Sequence, residues 1–301
     1  KDSCDLFYGV EVDNGGDKGI TQRDWTMQKA TEKWVDVAAR APNAKSPSAI
    51  LTSRKIPRAA RSWILGLRGH NINNAAAAVE DYRTGEILAY AGSASYTSKG
   101  SKRFQPQFDV LADGWRQPGS AIKPVNYLVG IDDKTLTAST MIMDVTTNFG
   151  GGFIPTQADH LERGPVRVRE AIQFSLNIPA IKATLVHGLQ HTYDRTKDFG
   201  LSYPKTAGPV LSEGIGTLEV HPIDLLGAYG MIANQGVLMP RRVIGTILDP
   251  CGTVSAPTPP HTPNRKPPAR PAPAHILPAT LAAPTQRTSP TFRPLAARSA
   301  R

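Results

Sequence analysis

The sequence predicts an α+β fold, in which a central antiparallel sheet has helices on both sides. Strand-like patterns occur near residues 75–93 and 243–248, and the region between them has mostly helical apolar spacing. Strands that form hairpins, with helices grouped apart from them, are typical of this fold class, whereas regular alternation of strand and helix indicates a parallel sheet.

The N-terminal 70 residues are predicted to be a linker or joining region. Residues 1–20 show no periodic pattern, and one helix is predicted over DWTMQKATEKWVDVAARA, residues 24–41, where large apolar residues recur at roughly helical spacing. Residues 39–74 are polar and contain prolines, with one short apolar stretch at 63–67. No helix or strand is assigned between residues 42 and 70.

A β-hairpin is predicted in AAAAVEDYRTGEILAYAGS, residues 75–93. The first strand passes through Val79, the turn is Tyr82-Arg83-Thr84-Gly85, and the second strand covers residues 87–90. This hairpin would begin the central antiparallel sheet.

Four helices are predicted downstream of this hairpin, and three of them contain a proline at or near the start. They span residues 120–129, 165–174, 179–188 and 221–236. Pro165, Pro179 and Pro222 fit a first helical turn because N–H groups there have no helical acceptor. Gly188 and Gly236 are predicted to end the last two helices.

The sheet is predicted to be incomplete at its C-terminal edge. Residues 243–248 form a strand pattern followed by a turn at 249–252, but the prolines after Val254 disfavour a returning strand. Residues 252–301 hold 12 of the 26 prolines and seven arginines and lysines, and they contain no aspartate or glutamate. Because this composition buries little apolar surface, we predict a domain over 71–251 and a disordered tail over 252–301.

Composition excludes several classes of protein. No run of 18 apolar residues and no N-terminal apolar export segment is present, so the chain as given is expected neither to span a membrane nor to direct its own export. Cys4 and Cys251 are isolated and no Cys/His cluster has metal-ligand spacing, so no metal site is predicted. The net charge of +10 falls to +3 for residues 1–251, so no specific nucleic-acid binding is predicted.

The segment WRQPGSAIKP, residues 115–124, predicts an activated serine nucleophile. Residues three apart on a helix are neighbours, so Ser120 and Lys123 would lie side by side in the first turn. A serine hydroxyl attacks efficiently only when a base removes its proton, and lysine accepts a proton only when neutral. The apolar neighbours of Lys123 favour burial, which lowers a lysine pKa. The alternative is a helix-capping serine beside a solvated lysine.

A second short motif, Ser175-Leu176-Asn177, falls between two predicted helices. Its hydroxyl would relay a proton to a leaving group, and its amide would hydrogen-bond the lysine and a substrate carbonyl. The alternative is a pair of helix-terminating residues. A further Ser-x-x-Lys, Ser202 to Lys205, contains Pro204 and is predicted to be a loop.

RQPGSAIKP followed by SLNIPA resembles the transpeptidase domain of class A penicillin-binding proteins, within the superfamily that includes the β-lactamases. The resemblance extends over about residues 71–250 and includes GIGTLEVHPIDLLGAYGMIANQG. It implies a β-lactamase/transpeptidase-like fold. It also implies that Ser120 attacks D-Ala-D-Ala stem peptides of peptidoglycan and that penicillins acylate the same serine. Lys123 would be the base, Ser175 the proton relay and Asn177 the polar orienting group.

The resemblance also implies partners and a location. Peptidoglycan stem peptides and β-lactam antibiotics are the expected partners, and no cofactor is expected. The expected location is extracytoplasmic, in the periplasm or on the outer face of the cytoplasmic membrane. Class A proteins normally have an N-terminal glycosyltransferase domain and a membrane anchor, so contact with a membrane would be made only through an upstream anchor.

The family's third motif, Lys-Thr-Gly or Lys-Ser-Gly, does not occur in the sequence. Lys205-Thr206-Ala207-Gly208 comes too early in the chain to replace it and is predicted to be a loop. We expect a frameshift or a false gene end near residue 252, and therefore a truncated, impaired transpeptidase.

Two other functions remain open from the sequence. A serine β-lactamase or β-lactam sensor would share Ser120 and Lys123 and release the acyl group to water. The sequence identifies no deacylating base, because Glu162 and Glu170 are near in sequence but fit surface carboxylates better. A non-catalytic protein would instead use its basic tail to bind anionic polymers, although Phe292 is the one aromatic residue there.

Overall fold

The computed structural model describes residues 18–248 and 254–257 and has mixed α and β structure, which confirms the predicted fold class. All of the described strand pairs are antiparallel, but they form three separate groups rather than one continuous sheet. The strands are β1 Lys18–Thr21, β2 Ala77–Asp81, β3 Glu86–Ala91, β4 Met141–Asp144, β5 Gly164–Arg167, β6 Ile244–Leu248 and β7 Val254–Pro257. The groups are β1-β6-β7, β2-β3 and β4-β5.

Eight helices lie between the strands of the described chain. They are α1 Trp25–Arg40, α2 Pro47–Ser53, α3 Arg58–Gly66, α4 Lys123–Asp132, α5 Val168–Gln173, α6 Asn177–His187, α7 Leu189–Asp198 and α8 Pro222–Ala233. Two 3₁₀ turns are also present: Gly119–Ile122 runs into α4, and Leu211–Ile215 packs against α6. Within the described ranges, no helix is both long enough and apolar enough to cross a bilayer.

The N-terminal region contains more regular structure than the sequence predicted. Helix α1 begins where expected, because the Asp24 side chain accepts the backbone N–H groups of Thr26 and Met27 at 2.8 and 2.9 Å. The sequence pattern assigns no element between residues 42 and 70, but α2 and α3 form there. Their apolar residues pack with α1 into a buried cluster of Val37, Ala41, Leu51, Ile56 and Ile64. In the sequence, the few apolar positions of α2 and α3 lie too close together to show a helical period.

The first hairpin forms as predicted and is attached to both neighbouring regions. Ala77 pairs with Ala91 and Ala78 with Tyr90, and the turn is at residues 82–85. Gln28 of α1 is buried and bonds both backbone groups of Tyr90 at 2.8 Å. On the opposite side, the N–H of Ile87 donates to the carbonyl of Arg242, just before β6.

The predicted helix over 165–174 is wrong at its start. Residues Gly164–Arg167 form β5, in which Val166 lies opposite Ile142 of β4, and the helix begins at Val168. The alternation in PVRVR fits a strand as well as a helix, and pairing with β4 decides between them. The other predicted helices form near their expected positions: Pro179 lies in the first turn of α6, and Pro222 opens α8.

The expected absence of a returning strand after β6 is also wrong. Val254–Pro257 pairs antiparallel with β6, opposite residues 246–248, and β1 pairs on the other side of β6. Proline is tolerated here because β7 lies at the end of the described strand order, where one row of N–H groups has no ladder partner. The predicted turn at 249–252, both cysteines and the tail from residue 258 lie outside the described residues. The division into segments 1–70, 71–251 and 252–301 remains a prediction.

The main core lies beneath the two predicted motifs. Its buried members come from α4, β4, β5, α5, α6 and the segments around them, and they include Val125, Val129, Ile142, Val168 and Ala180. Helices α4 and α6 pack against each other and against this core. The start of each helix is therefore held in a fixed position relative to the other.

Candidate active site

Ser120 lies on the 3₁₀ turn Gly119–Ile122, which runs directly into α4. Its side chain is exposed, whereas Ile122 two residues later is buried. The backbone N–H of Lys123 donates to the carbonyl of Ser120, so the turn and the helix form one continuous unit. The hydroxyl is consequently presented to solvent from a rigid support.

Two glycines that meet at this turn explain how the serine is supported. Gly119 has φ +55°, and its N–H donates to the carbonyl of Gly216 at 3.1 Å. Gly216 has φ +83°, and a Cβ atom there would overlap the carbonyl oxygen of Gly119. Only glycine allows both this backbone conformation and this close approach. The segment 214–216 therefore packs backbone to backbone against the residue before Ser120.

We expect Gly216→Ala to lower the free energy of unfolding by about 2–4 kcal/mol, because it combines a left-handed alanine with a steric overlap. Urea unfolding gives the loss, and a slower penicillin acylation rate should accompany it. Gly69→Ala is the matched control, since Gly69 also has positive φ, +89°, but a Cβ atom added there would have no neighbour within 4 Å. Equal losses for the two variants would contradict the importance of the Gly119 contact.

Lys123 is almost completely enclosed, with 1% of its surface exposed. Its Nζ donates to the Ser175 carbonyl at 2.5 Å, to Asn177 Oδ1 at 2.7 Å and to Ser175 Oγ at 3.3 Å. Burial lowers the pKa of Lys123 from its ordinary value to about 8. About a tenth of the Lys123 side chains are therefore neutral at pH 7, and the neutral form is the one that a general base needs.

Ser175 and Asn177 lie at the junction between α5 and α6. Ser175 has φ +53°, a left-handed conformation that costs a non-glycine residue on the order of 1 kcal/mol and often occurs at functional sites. Asn177 is the first residue of α6, and its Nδ2 donates to the carbonyl of Thr156 at 2.8 Å. The tight turn allows both the carbonyl and the hydroxyl of Ser175 to face the lysine.

The structure brings together three of the four sequence-predicted residues by direct hydrogen bonds. In the part of the chain that the structure describes, no hydrogen bond joins the Ser120 hydroxyl to Lys123, although they are three residues apart on one turn. Ser120 is thus placed by backbone geometry, and Lys123, Ser175 and Asn177 are placed by their mutual contacts. This arrangement places an exposed serine hydroxyl one helical turn from a buried lysine of lowered pKa, which is bonded to two polar residues.

The second Ser-x-x-Lys has a different structure, as predicted. Residues 201–210 form loop and turn, and the Ser202 hydroxyl donates to Asp224. Asp224 also binds Arg241 at 2.8 Å, so Ser202 belongs to a structural polar cluster. Lys205-Thr206-Ala207-Gly208 lies in the same loop and not on a strand.

The two carboxylates considered for deacylation have structural hydrogen bonds. Glu170 accepts the backbone N–H of Arg167 at 2.9 Å and caps the start of α5. Glu162 is exposed and accepts the N–H of Thr146 at 2.8 Å. Neither contact aims a carboxylate at Ser120. Among the described residues, no three His, Cys, Asp or Glu side chains are grouped as metal ligands would be.

Glu213 is a buried titratable residue that the sequence reasoning missed. It lies on the 3₁₀ turn that leads into Gly214–Gly216, and 2% of its surface is exposed. The Tyr203 hydroxyl donates to Oε1 at 3.0 Å, and burial raises the pKa of Glu213 to about 7. A glutamate amid Ser, Gly and Ile gives no periodic signal, so only tertiary packing shows that it is buried.

We expect Glu213→Gln to remove a pH dependence of stability. Between about pH 4.5 and 7 the native state holds a proton on Glu213 that the unfolded state has lost, so the stability contributed by this residue falls as pH rises. Glutamine does not ionise, so the variant should gain on the order of 3 kcal/mol relative to the unmodified chain between pH 4 and pH 8. Urea unfolding of both proteins at pH 4 and pH 8 measures this gain. The same difference in free energy of unfolding at the two pH values would contradict the prediction.

Comparison with known proteins identifies the family. The family model for the penicillin-binding protein transpeptidase domain matches residues 75–289, and the chain belongs to this family. The match begins close to the predicted start at residue 71. It extends past residue 250, where the resemblance seen in the residues ended, and into the part of the chain outside the described residues.

The curated relatives are class A penicillin-binding proteins. The chain is 34% identical over 178 residues to penicillin-binding protein 1A of Aquifex aeolicus, covering 58% of this chain and 23% of the relative. It is 31% identical over 180 residues to penicillin-binding protein 2D of Bacillus subtilis, covering 58% and 25%. The chain therefore spans about a quarter of the length of these relatives.

Solved structures of such proteins share the fold. Penicillin-binding protein 1A from Haemophilus influenzae superimposes with a TM-score of 0.64 at 20% identity, covering 83% of this chain and 47% of that one. PonA1 from Mycobacterium tuberculosis gives 0.61 at 21% identity, covering 83% and 59%. The expected transpeptidase-like fold is thereby confirmed.

Proposed function

We propose that this chain is a peptidoglycan D,D-transpeptidase domain in which Ser120 forms an acyl-enzyme with D-Ala-D-Ala stem peptides. The observation that carries the proposal is the position of Lys123, which is buried and bonded to both Ser175 and Asn177. A buried lysine of lowered pKa one helical turn from an exposed serine is what a serine acyltransferase requires. Membership of the transpeptidase family supports the same reaction.

Acylation proceeds by proton transfer and attack. Neutral Lys123 accepts the Ser120 proton as Oγ bonds to the carbonyl carbon of the penultimate D-alanine. The tetrahedral intermediate then collapses, and its C–N bond breaks. Lys123 returns the proton through the Ser175 hydroxyl to the departing nitrogen, so D-alanine leaves with a neutral amine and an ester remains on Ser120.

The second half reverses these roles. An amine of a neighbouring stem peptide attacks the ester carbon, and the amine proton passes to Lys123 by way of Ser175. The new C–N bond replaces the bond to Ser120, whose oxygen recovers its proton. In a β-lactam the broken C–N bond belongs to the ring, so the leaving nitrogen stays attached and the ester persists.

We propose that the chain as given reacts slowly. It contains no Lys-Thr-Gly or Lys-Ser-Gly tripeptide, the motif that the family resemblance associates with the oxyanion hole and the substrate carboxylate. Removal of one oxyanion donor typically slows catalysis by about a hundredfold to a thousandfold. Covalent acylation should therefore be easier to detect than turnover.

The proposed partners and location follow from this reaction. Peptidoglycan stem peptides and β-lactams would bind beside Ser120, and because the stem peptides are cross-linked outside the cytoplasmic membrane, the site would be extracytoplasmic. One solved neighbour, PonA1, is described in complex with penicillin V, which supports the proposed β-lactam binding.

The proposed reaction is tested with a peptide that ends in D-Ala-D-Ala and an amino-acid acceptor. We expect released D-alanine and acceptor-linked product in equal amounts, and neither with Ser120→Ala. Sustained hydrolysis of a chromogenic cephalosporin would instead indicate a β-lactamase. Absence of both products and of any covalent adduct would contradict the proposal. Salt-sensitive binding to an anionic polymer that is lost when residues 253–301 are removed would favour the basic-tail function.

A further inference from the structure

A row of hydrogen bonds runs from a buried carboxylate to Lys123. Gln157 Nε2 donates to Asp144 Oδ1, and Gln157 Oε1 accepts the backbone N–H of Asn177 at 2.6 Å. Asn177 Oδ1 in turn accepts from Lys123 Nζ at 2.7 Å. Asp144 and Gln157 are far from Asn177 in sequence, so only the fold brings them together.

Asp144 is firmly fixed at the far end of this row. It ends β4, its side chain is fully buried, and its carbonyl accepts the N–H of Arg163 at 3.1 Å. The Arg163 guanidinium lies 3.8 Å from Oδ2. Gln157 is 4% exposed, so its amide is shielded from water and has few alternative partners. Buried polar groups of this kind are costly unless their hydrogen bonds are made.

The chemistry of the groups determines which way each amide points. The backbone N–H of Asn177 only donates, so it selects Oε1 of Gln157 and leaves the NH₂ end to donate to Asp144. The carbonyl of Thr156 likewise selects the NH₂ end of Asn177. This second selection leaves Asn177 Oδ1 as the atom that faces Lys123. Residues 156–157 thus hold the backbone and the side chain of Asn177 at once.

We propose that Gln157, oriented by Asp144, is a positioning residue that holds Asn177 so that its Oδ1 accepts a hydrogen bond from Lys123. The expected effect of Gln157 on catalysis rests on the proposed function. Its expected effect on the position of Asn177 rests on the described contacts alone. Gln157 touches no reacting atom and acts through Asn177. Misplacement of a catalytic group by about 1 Å can cost about a hundredfold in rate, so the effect should be measurable.

A double-mutant cycle on penicillin acylation tests this role. We expect Gln157→Ala to slow acylation about tenfold to a hundredfold in the unmodified chain, but less than about threefold in an Asn177→Ala background, because Asn177 is the group through which it acts. Gln157→Met fills a similar volume without side-chain hydrogen bonds and should slow acylation to the same extent. It replaces the alanine variant if that variant folds poorly. Equal slowing in both backgrounds would overturn the proposal.

Gln28 provides the matched control. It is also a buried glutamine that bonds backbone groups, but those belong to Tyr90 on β3. We expect Gln28→Ala to lower the melting temperature and yet leave the acylation rate within about twofold at a temperature where all variants are folded. Slowing by Gln28→Ala comparable to that by Gln157→Ala would show that both residues serve stability alone.

Amide hydrogen exchange separates this inference from the proposed function. We expect Gln157→Ala to speed exchange at the Asn177 N–H by about tenfold or more, and Gln28→Ala to leave it unchanged. This readout does not depend on acylation. If the unmodified chain forms no acyl-enzyme, the proposed function fails, but hydrogen exchange still shows whether Gln157 holds the Asn177 N–H. Unchanged exchange at Asn177 in Gln157→Ala would overturn the positioning role.

Discussion

Ser120→Ala is expected to abolish covalent labelling by a fluorescent penicillin. The hydroxyl of Ser120 is exposed at the start of α4, on a turn fixed by the Gly119–Gly216 contact. Removal of its oxygen removes the atom that would form the ester, and alanine fits the same turn without strain. The labelled band on a denaturing gel should therefore disappear while the melting temperature stays within a few degrees.

Ser202→Ala is the control for this experiment. Ser202 belongs to the second Ser-x-x-Lys, but its hydroxyl donates to Asp224 in a loop. We expect this variant to keep its labelling and to lose some stability because a partly buried hydrogen bond is removed. Labelling that survives in Ser120→Ala, or disappears in Ser202→Ala, would place the nucleophile elsewhere.

Lys123→Met is expected to slow acylation by about a hundredfold to ten-thousandfold, the usual contribution of a positioned acid–base group. Methionine keeps much of the volume of the buried side chain but cannot accept a proton. Stopped samples analysed by mass spectrometry give the rate. Lys205→Met, in the second Ser-x-x-Lys, should leave the rate unchanged.

The acylation rate of the unmodified chain should also depend on pH through Lys123. The neutral amine is the active form, and burial lowers its pKa to about 8. The rate should therefore rise about tenfold per pH unit below this pKa and level off above it. The acylation rate of the Lys123→Met variant should not show this rise with pH. A rate that does not change between about pH 6 and pH 9 would contradict the assignment of Lys123 as the base.

Local signals in the sequence predicted the elements that carry the motifs. The hairpin turn at residues 82–85 and Pro179 in the first turn of α6 are short-range features, and the structure confirms both. The proximity of Ser120 and Lys123 follows from their spacing along one helical turn. The link from Lys123 to Ser175 and Asn177 spans more than fifty residues, so no short-range feature predicts it. The complementary chemistry of the two motifs indicates the link, and the family resemblance supports it.

The parts that were missed depend on long-range packing. Gln157 lies in a loop, and its role is visible only when β4 and α6 are placed beside it. Gly216 is one glycine among many in the sequence, and nothing distinguishes it until its backbone meets Gly119. The prolines after Val254 disfavour a strand in the sequence pattern, but the pattern does not show that β7 lies at the end of the strand order, where proline is tolerated.

The proposed acylation site is tested most directly by the intact mass of the purified chain after exposure to a penicillin, followed by peptide mapping. We expect one penicilloyl group per chain, located on the peptide that contains Ser120. A fully folded chain that gains no adduct, or gains one on another residue, would contradict the claim that Ser120 and Lys123 form a working acylation site.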